Sequence, residues 1–236
     1  MKKILALVLV VSLMLLSMIG CGNKNNGAAS EETVNKVAGM LAESNPTLVQ
    51  AESTITIGEK QPSVSTYSLK RGEINNKKVI VYESAITELL SVEEGASVLI
   101  VPPFGTKTQK IEYVEGSGVR VDGGQFDMNK TDDVFTEFEI SITPATASDA
   151  KYENNTLTFK VKAADTEKVF GTAIKADVNV SIVDDGNWIK SIDISYVVPA
   201  HIAKNPDNPG VTVSVEEIVV SMSISYSYDI QNINIA

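Results

Sequence analysis

The feature that most constrains the fold of this chain is a two-residue alternation of apolar and polar side chains along most of its length. Leu157, Phe159 and Val161 are separated by polar residues, and from 221 to 227 serine alternates with methionine, isoleucine and tyrosine. Successive side chains of a β-strand point to opposite faces, so this period predicts strands with one apolar face. A sheet built from such strands must cover that face with another layer.

Turn signals between the alternating runs indicate how the strands connect. Asn75-Asn76, Asn154-Asn155 and the run Asp184 to Asn187 are typical of tight turns between antiparallel strands. Alternation at Phe138 to Ile142 predicts a further strand. The apolar positions change parity at Glu216-Glu217, which favours a β-bulge or a bend there.

Two helices interrupt the strand pattern. Ser30 is a good N-cap for a helix that should run to Glu43, with an apolar stripe of Val34, Val37 and Leu41. A short helix is predicted later in the chain, capped by Asp165, running through Val169-Phe170 and closed by Gly171.

The fold class that follows is mainly β, or α+β. We expect a curved antiparallel sheet or half-barrel covered by the N-terminal helix and the short mid-chain helix. An immunoglobulin-like sandwich would explain the strands but leaves the leading helix without a role.

The amino terminus has the layout of a secretory signal. Lys2 and Lys3 precede an apolar run from Ile4 to Ile19, which is short for a membrane-spanning helix. The following Ser17 to Cys21 resembles the bacterial lipobox, and this resemblance implies cleavage after Gly20. The alternative is an ordinary cleaved leader followed by a stray thiol.

Lipidation of Cys21 with a diacylglycerol would account for the single cysteine of the chain. Two acyl chains anchor stably, whereas one is marginal. We therefore expect a signal peptide over residues 1–20, a lipidated Cys21 opening a flexible tether over 21–29, and one β-rich domain over 30–236. The protein would be extracytoplasmic, on the outer face of the cytoplasmic membrane or on an outer membrane.

The order of lipobox, tether, helix, antiparallel meander and short mid-chain helix resembles the LolA/LolB-like lipoproteins, including those of the LppX/LprG type. The resemblance spans roughly Ser30 to Ile235 and is one of architecture. It implies a half-open barrel with an apolar cavity for acyl chains, and therefore a lipid or another hydrophobic molecule as the ligand.

The apolar face of the predicted sheet and helix is the candidate binding site. The alternative is that the same residues pack on one another as an ordinary core, because periodicity does not distinguish a filled interior from a hollow one. The candidate lining residues are Val37, Leu41, Leu69, Phe138, Ile140, Phe159, Met222 and Ile224.

Composition disfavours several other functions. The formal charge of −10 makes nucleic acid an improbable partner. The single histidine, His201, is expected in a loop, and no Gly-x-Ser-x-Gly motif occurs. We therefore expect no enzyme activity, no catalytic residues and no cofactor besides the covalent diacylglycerol on Cys21.

Metal binding is also not expected. The sequence lacks the histidine and cysteine ligands that zinc usually has. One acidic cluster comprises Asp184, Asp185 and Asn187, and the other comprises Asp122, Asp127, Asp132 and Asp133. Neither has the spacing of a calcium loop, since turn chemistry explains the first cluster and a solvated loop explains the second. An interaction or scaffold module that engages an unknown envelope protein is the second hypothesis, and an extracytoplasmic hydrolase the third.

Overall fold

A computed structural model of the chain describes residues 27–59, 62–86, 108–135, 138–205, 208–229, 233 and 235. The predicted signal peptide, the lipobox with Cys21 and the tether up to residue 26 lie outside the described residues.

The described strands form one large open sheet and one small one. Ten strands follow the order β5-β4-β3-β2-β1-β12-β9-β8-β7-β6, with every neighbouring pair antiparallel, and β10 pairs with β11 in the second sheet. The large sheet is curved but not closed, which confirms the predicted fold class. The strands are β1 (Leu48–Ile57), β2 (Ser63–Ile74), β3 (Lys77–Ile86), β4 (Thr108–Val114), β5 (Gly118–Val121), β6 (Ser148–Glu153), β7 (Thr156–Val161), β8 (Val178–Asp184), β9 (Ile189–Val198), β10 (His201–Asn205), β11 (Asn208–Val215) and β12 (Ile218–Ser227).

Two meanders meet at the centre of the large sheet. Strands β1 to β5 form one, strands β6 to β9 form the other, and β12 joins them by pairing with both β1 and β9. Ile224 lies opposite Ala51 on one side and Ile192 on the other, and all three side chains are buried. The apolar core therefore continues across the seam between the meanders.

The predicted asparagine turns are confirmed. Asn75, Asn76, Asn154 and Asn155 all have positive φ, between 51° and 60°. A two-residue turn with both central residues in this region matches the right-handed twist of the strands it joins, and asparagine tolerates this conformation well. These turns place β2 against β3 and β6 against β7.

Two helices cover the apolar face, as predicted. Helix α1 spans Glu31–Ala42, and the backbone N–H of Thr33 donates to the Ser30 hydroxyl at 3.1 Å. Helix α2 spans Thr166–Phe170, and Gly171 ends it with φ of 68°. Asp165 stands at the N-cap of α2, but its side chain pairs with Lys168 at 2.8 Å instead of capping the helix. No helix among the described residues is long and apolar enough to span a membrane.

The prediction of a strand at Phe138 to Ile142 is wrong. The described residues of this segment are irregular, although apolar and polar side chains still alternate in burial. The Ser141 N–H donates to the Val169 carbonyl at 3.0 Å, and the Phe138 ring stacks on Phe170 at 6.4 Å between centroids. The segment is held against α2, so its apolar side chains cover the sheet instead of extending it.

The parity change at Glu216-Glu217 marks a change of sheet. Strand β11 pairs with β10, whereas β12 returns to the centre of the large sheet, so the two residues lie at a bend. His201 is the first residue of β10, not a loop residue as predicted, and its ring Nδ1 lies 2.9 Å from the Pro199 carbonyl oxygen. We call the β10-β11 hairpin, residues 201–215, the arm.

The last residues of the predicted tether contact the sheet. Ala28 forms an antiparallel bridge with Lys151, and the Ala29 N–H donates to the Ala150 carbonyl at 2.8 Å. The chain is therefore attached to the edge of β6 from Gly27 onward, ahead of the predicted start at Ser30.

Candidate functional site

Most of the candidate lining residues belong to a packed core. Val37, Leu69, Phe159, Met222 and Ile224 are each no more than 5% exposed and belong to one continuous hydrophobic cluster. Val37 lies on α1, and the other four lie on strands and belong to the apolar face of the sheet, as alternation predicted. Their contacts are with each other and with neighbouring apolar side chains, which is the ordinary-core alternative.

The other three candidates, Leu41, Phe138 and Ile140, border an open cleft of about 450 Å³. All three are only partly buried and pack against the rim of the core. This volume lies within the usual range of about 300–1,000 Å³ for small-molecule sites. The full lining comprises Ala38, Leu41, Ala42, Ser44, Pro46, Val49, Tyr67, Phe138, Glu139, Ile140, Ser141, Ile142, Ile192 and Tyr226.

The cleft has two walls and a floor. The last turn of α1 and the following residues form one wall, and segment 138–142 forms the other. Residues of β1, β2, β9 and β12 form the floor. Arg71 fixes the end of the first wall, since its Nη1 donates to the Pro46 carbonyl at 2.8 Å.

Aromatic rings strengthen the floor of the cleft. Tyr67 stacks on Tyr82 with 5.7 Å between ring centroids, and both rings are buried. Burial raises the pKa of the Tyr82 phenol, so this ring stays neutral at physiological pH. The Tyr67 ring of the floor therefore packs against an uncharged aromatic neighbour.

Polar groups stand among the wall residues of the cleft. Ser44, Glu139 and Ser141 contribute to the lining beside Leu41 and Ile140. An apolar floor with a few polar groups suits a molecule that has an apolar body and a polar end. None of the described residues that line the cleft has a basic side chain, so their chemistry does not favour a strongly anionic ligand.

Tyr67 and Tyr226 also line the cleft, although neither was predicted as a site residue. They lie far apart in sequence, on β2 and β12. Register brings them together, because Val49 on β1 pairs with Tyr226 on one side and with Leu69 on the other. The sequence pattern of a single strand does not indicate that Tyr67 and Tyr226 lie close together.

The polar face of the sheet carries wider depressions. Two troughs of about 630 and 770 Å³ share Glu52 and Ser223, and hydroxyl and charged side chains are prominent in their linings. Phe159 and Met222, two of the candidate lining residues, also border the smaller trough, where Ser223 donates a hydrogen bond of 2.6 Å to Asp193. These troughs are larger than the cleft but more open, so a ligand there would keep more of its surface in water.

A buried charge cluster lies near the β5 edge of the large sheet. The Glu112 side chain is 1% exposed and contacts Arg120 Nε at 2.6 Å and Lys110 Nζ at 3.0 Å. Burial alone would raise the pKa of Glu112, but hydrogen bonds from Arg120 and Lys110 outweigh it and lower this pKa. The carboxylate is therefore ionised and held by partners, as a structural group is.

The acidic clusters serve turns and ion pairs. Asp184 accepts from the Gly186 N–H at 2.7 Å, and Asp185 accepts from the Trp188 N–H at 2.9 Å. The Lys190 ammonium, with the N–H groups of Trp188 and Asn187, lowers the pKa of Asp185 to about 2. Among the residues that the structure describes, no group of three or more His, Cys, Asp or Glu side chains is arranged to hold a metal ion.

Comparison with known proteins gives little sequence similarity. No protein family matches the chain, and no curated protein is recognised as its relative. Among solved structures, the chain is similar to the LolA superfamily protein NE2245 from Nitrosomonas europaea, with 86% of this chain and 96% of that chain covered. The sequence identity is 7% and the TM-score is 0.26. At this TM-score the similarity transfers no residue roles, so the candidate site stands on its own geometry.

Proposed function

We propose that this protein binds a lipid or another hydrophobic molecule in the cleft between α1, segment 138–142 and the sheet. The observation that carries the proposal is the gap in the cover of the apolar face, which leaves Leu41, Phe138 and Ile140 only partly buried. Apolar side chains left open to water gain free energy when a ligand covers them, at about 25 cal/mol per Å² of buried apolar surface.

The proposal includes attachment to a membrane through a diacylglycerol on Cys21. Its support is the lipobox-like Ser17 to Cys21 sequence and the apolar run before it. This role corresponds to the extracytoplasmic, non-enzymatic function that the LolA/LolB-like resemblance implies.

Fluorescence titration with a dansyl-labelled long-chain fatty alcohol, which is uncharged at its polar end, tests the cleft. We expect saturable binding by the full chain, and weaker binding by Leu41→Asn and by Ile140→Asn. Loss of one buried aliphatic contact, about 1.5–3 kcal/mol, corresponds to roughly a tenfold to hundredfold increase in Kd.

Val219→Asn is the matched control. Val219 is 41% exposed and faces away from the cleft, on the opposite side of the sheet from Val220. Its substitution should leave Kd unchanged, while circular dichroism shows that all three variants are folded. Absence of probe binding, or equal weakening in all three variants, would contradict the proposal.

The second candidate is an interaction module that engages an envelope protein through the polar face of the sheet. The two troughs that share Glu52 and Ser223 favour it, because they form a wide hydrophilic depression across several strands. Absence of probe binding would shift preference to this candidate, because a protein partner on the polar face requires no hydrophobic ligand.

A further inference from the structure

The direction of the chain at its first described residues shows toward which end of the sheet the chain leads back from Ala29. The Ala29 N–H donates to the Ala150 carbonyl, and the Gly27 carbonyl accepts from the Tyr152 N–H at 3.2 Å. This pairing is antiparallel, so moving back from Ala29 to Gly27 means moving along β6 toward Glu153 and the Asn154-Asn155 turn.

Strand register identifies what else lies at that end. Tyr152 is level with Leu157, then with Ile182 and finally with Ile192 on β9. Trp188 is only four residues before Ile192, in the turn between β8 and β9. Gly27 and Trp188 therefore lie toward the same end of the sheet.

The arm lies at the opposite end. β9 runs from Ile189, next to Trp188, to Val198, a span of about 30 Å at the rise of a β-strand, and β10 begins beyond that far end at His201. The six peptide steps from Cys21 to Gly27 extend at most about 20–22 Å. An anchor on Cys21 therefore holds the Trp188 end near the membrane and leaves the arm remote from it.

The side chains at the Trp188 end suit a membrane interface. Trp188 is 44% exposed, and its ring lies 4.9 Å from that of Tyr228, measured between centroids. Lys190 Nζ lies 5.5 Å from the Tyr228 ring centroid and 2.9 Å from Asp185 Oδ2. Tryptophan and tyrosine prefer the headgroup region of a bilayer, and Lys190 neutralises the Asp185 carboxylate beside them.

We propose that Trp188 inserts into the headgroup layer of the membrane that carries the anchor, so that the Trp188 end of the sheet faces the lipid. The cleft lies at this end too, since its floor includes Val49 near the start of β1, and Ser44 on its wall is hydrogen-bonded to Tyr228 at 2.8 Å. A hydrophobic ligand would thus have a short route between bilayer and cleft. The inference rests on the anchor in the proposed function.

The single tryptophan of the chain makes the test direct. The lipidated full chain is reconstituted into phosphatidylcholine vesicles with or without a headgroup-spin-labelled phosphatidylcholine, and vesicle flotation confirms attachment. The spin label should reduce Trp188 emission by about twofold or more, because the ring lies at headgroup depth.

The matched control moves the fluorophore to the arm. Trp188→Phe combined with Ile202→Trp places the single tryptophan at a site that is 75% exposed, and its emission should be unaffected by the spin label. Cys21→Ser, which removes the anchor, should abolish both flotation and quenching.

The outcomes separate the two proposals. If the chain fails to float with the vesicles, the anchor is wrong and the orientation is lost with it. If the chain floats but Trp188 is not quenched, or the tryptophan on the arm is quenched equally, the orientation is overturned while the anchor stands.

Discussion

Glu112 shows how a single charged side chain is accommodated inside this sheet. It lies on β4 at 1% exposure and forms ion pairs with two cations on neighbouring positions, Lys110 on the same strand and Arg120 on β5. Ionisation in such a place depends on its partners, since an unpaired buried charge costs several kcal/mol. The position of Glu112 within the sequence of its strand does not indicate that the side chain is buried.

We predict that Glu112→Gln lowers the free energy of unfolding by about 2–3 kcal/mol, because it leaves Arg120 at a poorly hydrated site without its carboxylate. The pKa of Glu112 is lowered in the folded protein, so its stabilisation is present above its ordinary pKa and is lost as the pH falls through the folded value. Urea denaturation at neutral and acidic pH measures both effects.

Glu83→Gln is the control for Glu112. Glu83 pairs with Lys70 at 3.9 Å on an exposed part of the sheet, and such pairs contribute less than about 1 kcal/mol. Equal destabilisation by the two substitutions, or a Glu112→Gln variant that keeps the full acid sensitivity, would contradict the assignment.

Helix α1 depends on its cap and on its apolar stripe. Val34 and Val37 are buried, Leu41 borders the cleft, and Ser30 satisfies the Thr33 N–H at the first turn. An isolated helix of this length is marginal in water, so docking on the sheet and capping stabilise it together. The wall of the cleft that α1 forms therefore depends on the packing of this helix on the sheet.

We predict that Ser30→Ala lowers stability by about 1 kcal/mol, because the Thr33 N–H loses its acceptor. Ser30→Asp should restore most of the loss, since aspartate also caps helices well. Thermal unfolding followed by circular dichroism measures the difference, with Ser221→Ala on the exposed face of β12 as the control. A Ser30→Ala variant as stable as the control would show that the cap does not contribute.

The pairing of β1 with β12 connects the two meanders into one sheet. Leu48 lies opposite Ser227, so this seam connects residues that are far apart in sequence. One hydrophobic cluster extends through both meanders, from Val49 and Tyr67 to Leu157 and Val180. With a shared core, neither meander can lose its packing without exposing apolar surface of the other.

We predict that the sheet unfolds in one cooperative transition. Trp188 fluorescence reports on the meander of β6 to β9, far-ultraviolet circular dichroism reports on the whole sheet, and the two urea curves should coincide. Ile224→Ala at the seam should lower the free energy of unfolding by about 2–5 kcal/mol in both curves, and Val219→Ala on the exposed face should change it little. Separate midpoints for the two probes would mean that the meanders are independent units.

Local chemistry explains which elements could be predicted from the sequence. The asparagine turns, the capped helix α1 and the alternating strands each depend on residues near one another in the chain. Segment 138–142 misled the prediction because alternation reports which side chains face an apolar surface. It does not report whether the backbone hydrogen-bonds to a neighbouring strand, and here the Ser141 N–H bonds to the Val169 carbonyl beside α2.

The sequence by itself determined a β-rich chain with a leading amphipathic helix and a sheet whose apolar face must be covered. These properties follow from the period of the side chains and from the residues that cap the helix. Only the tertiary structure decided that Phe159 and Met222 fill the core while Leu41 and Ile140 border a cleft. The physical reason is register: the same apolar residue is buried or left open according to which strands and loops pack over it, and those partners are distant in the chain.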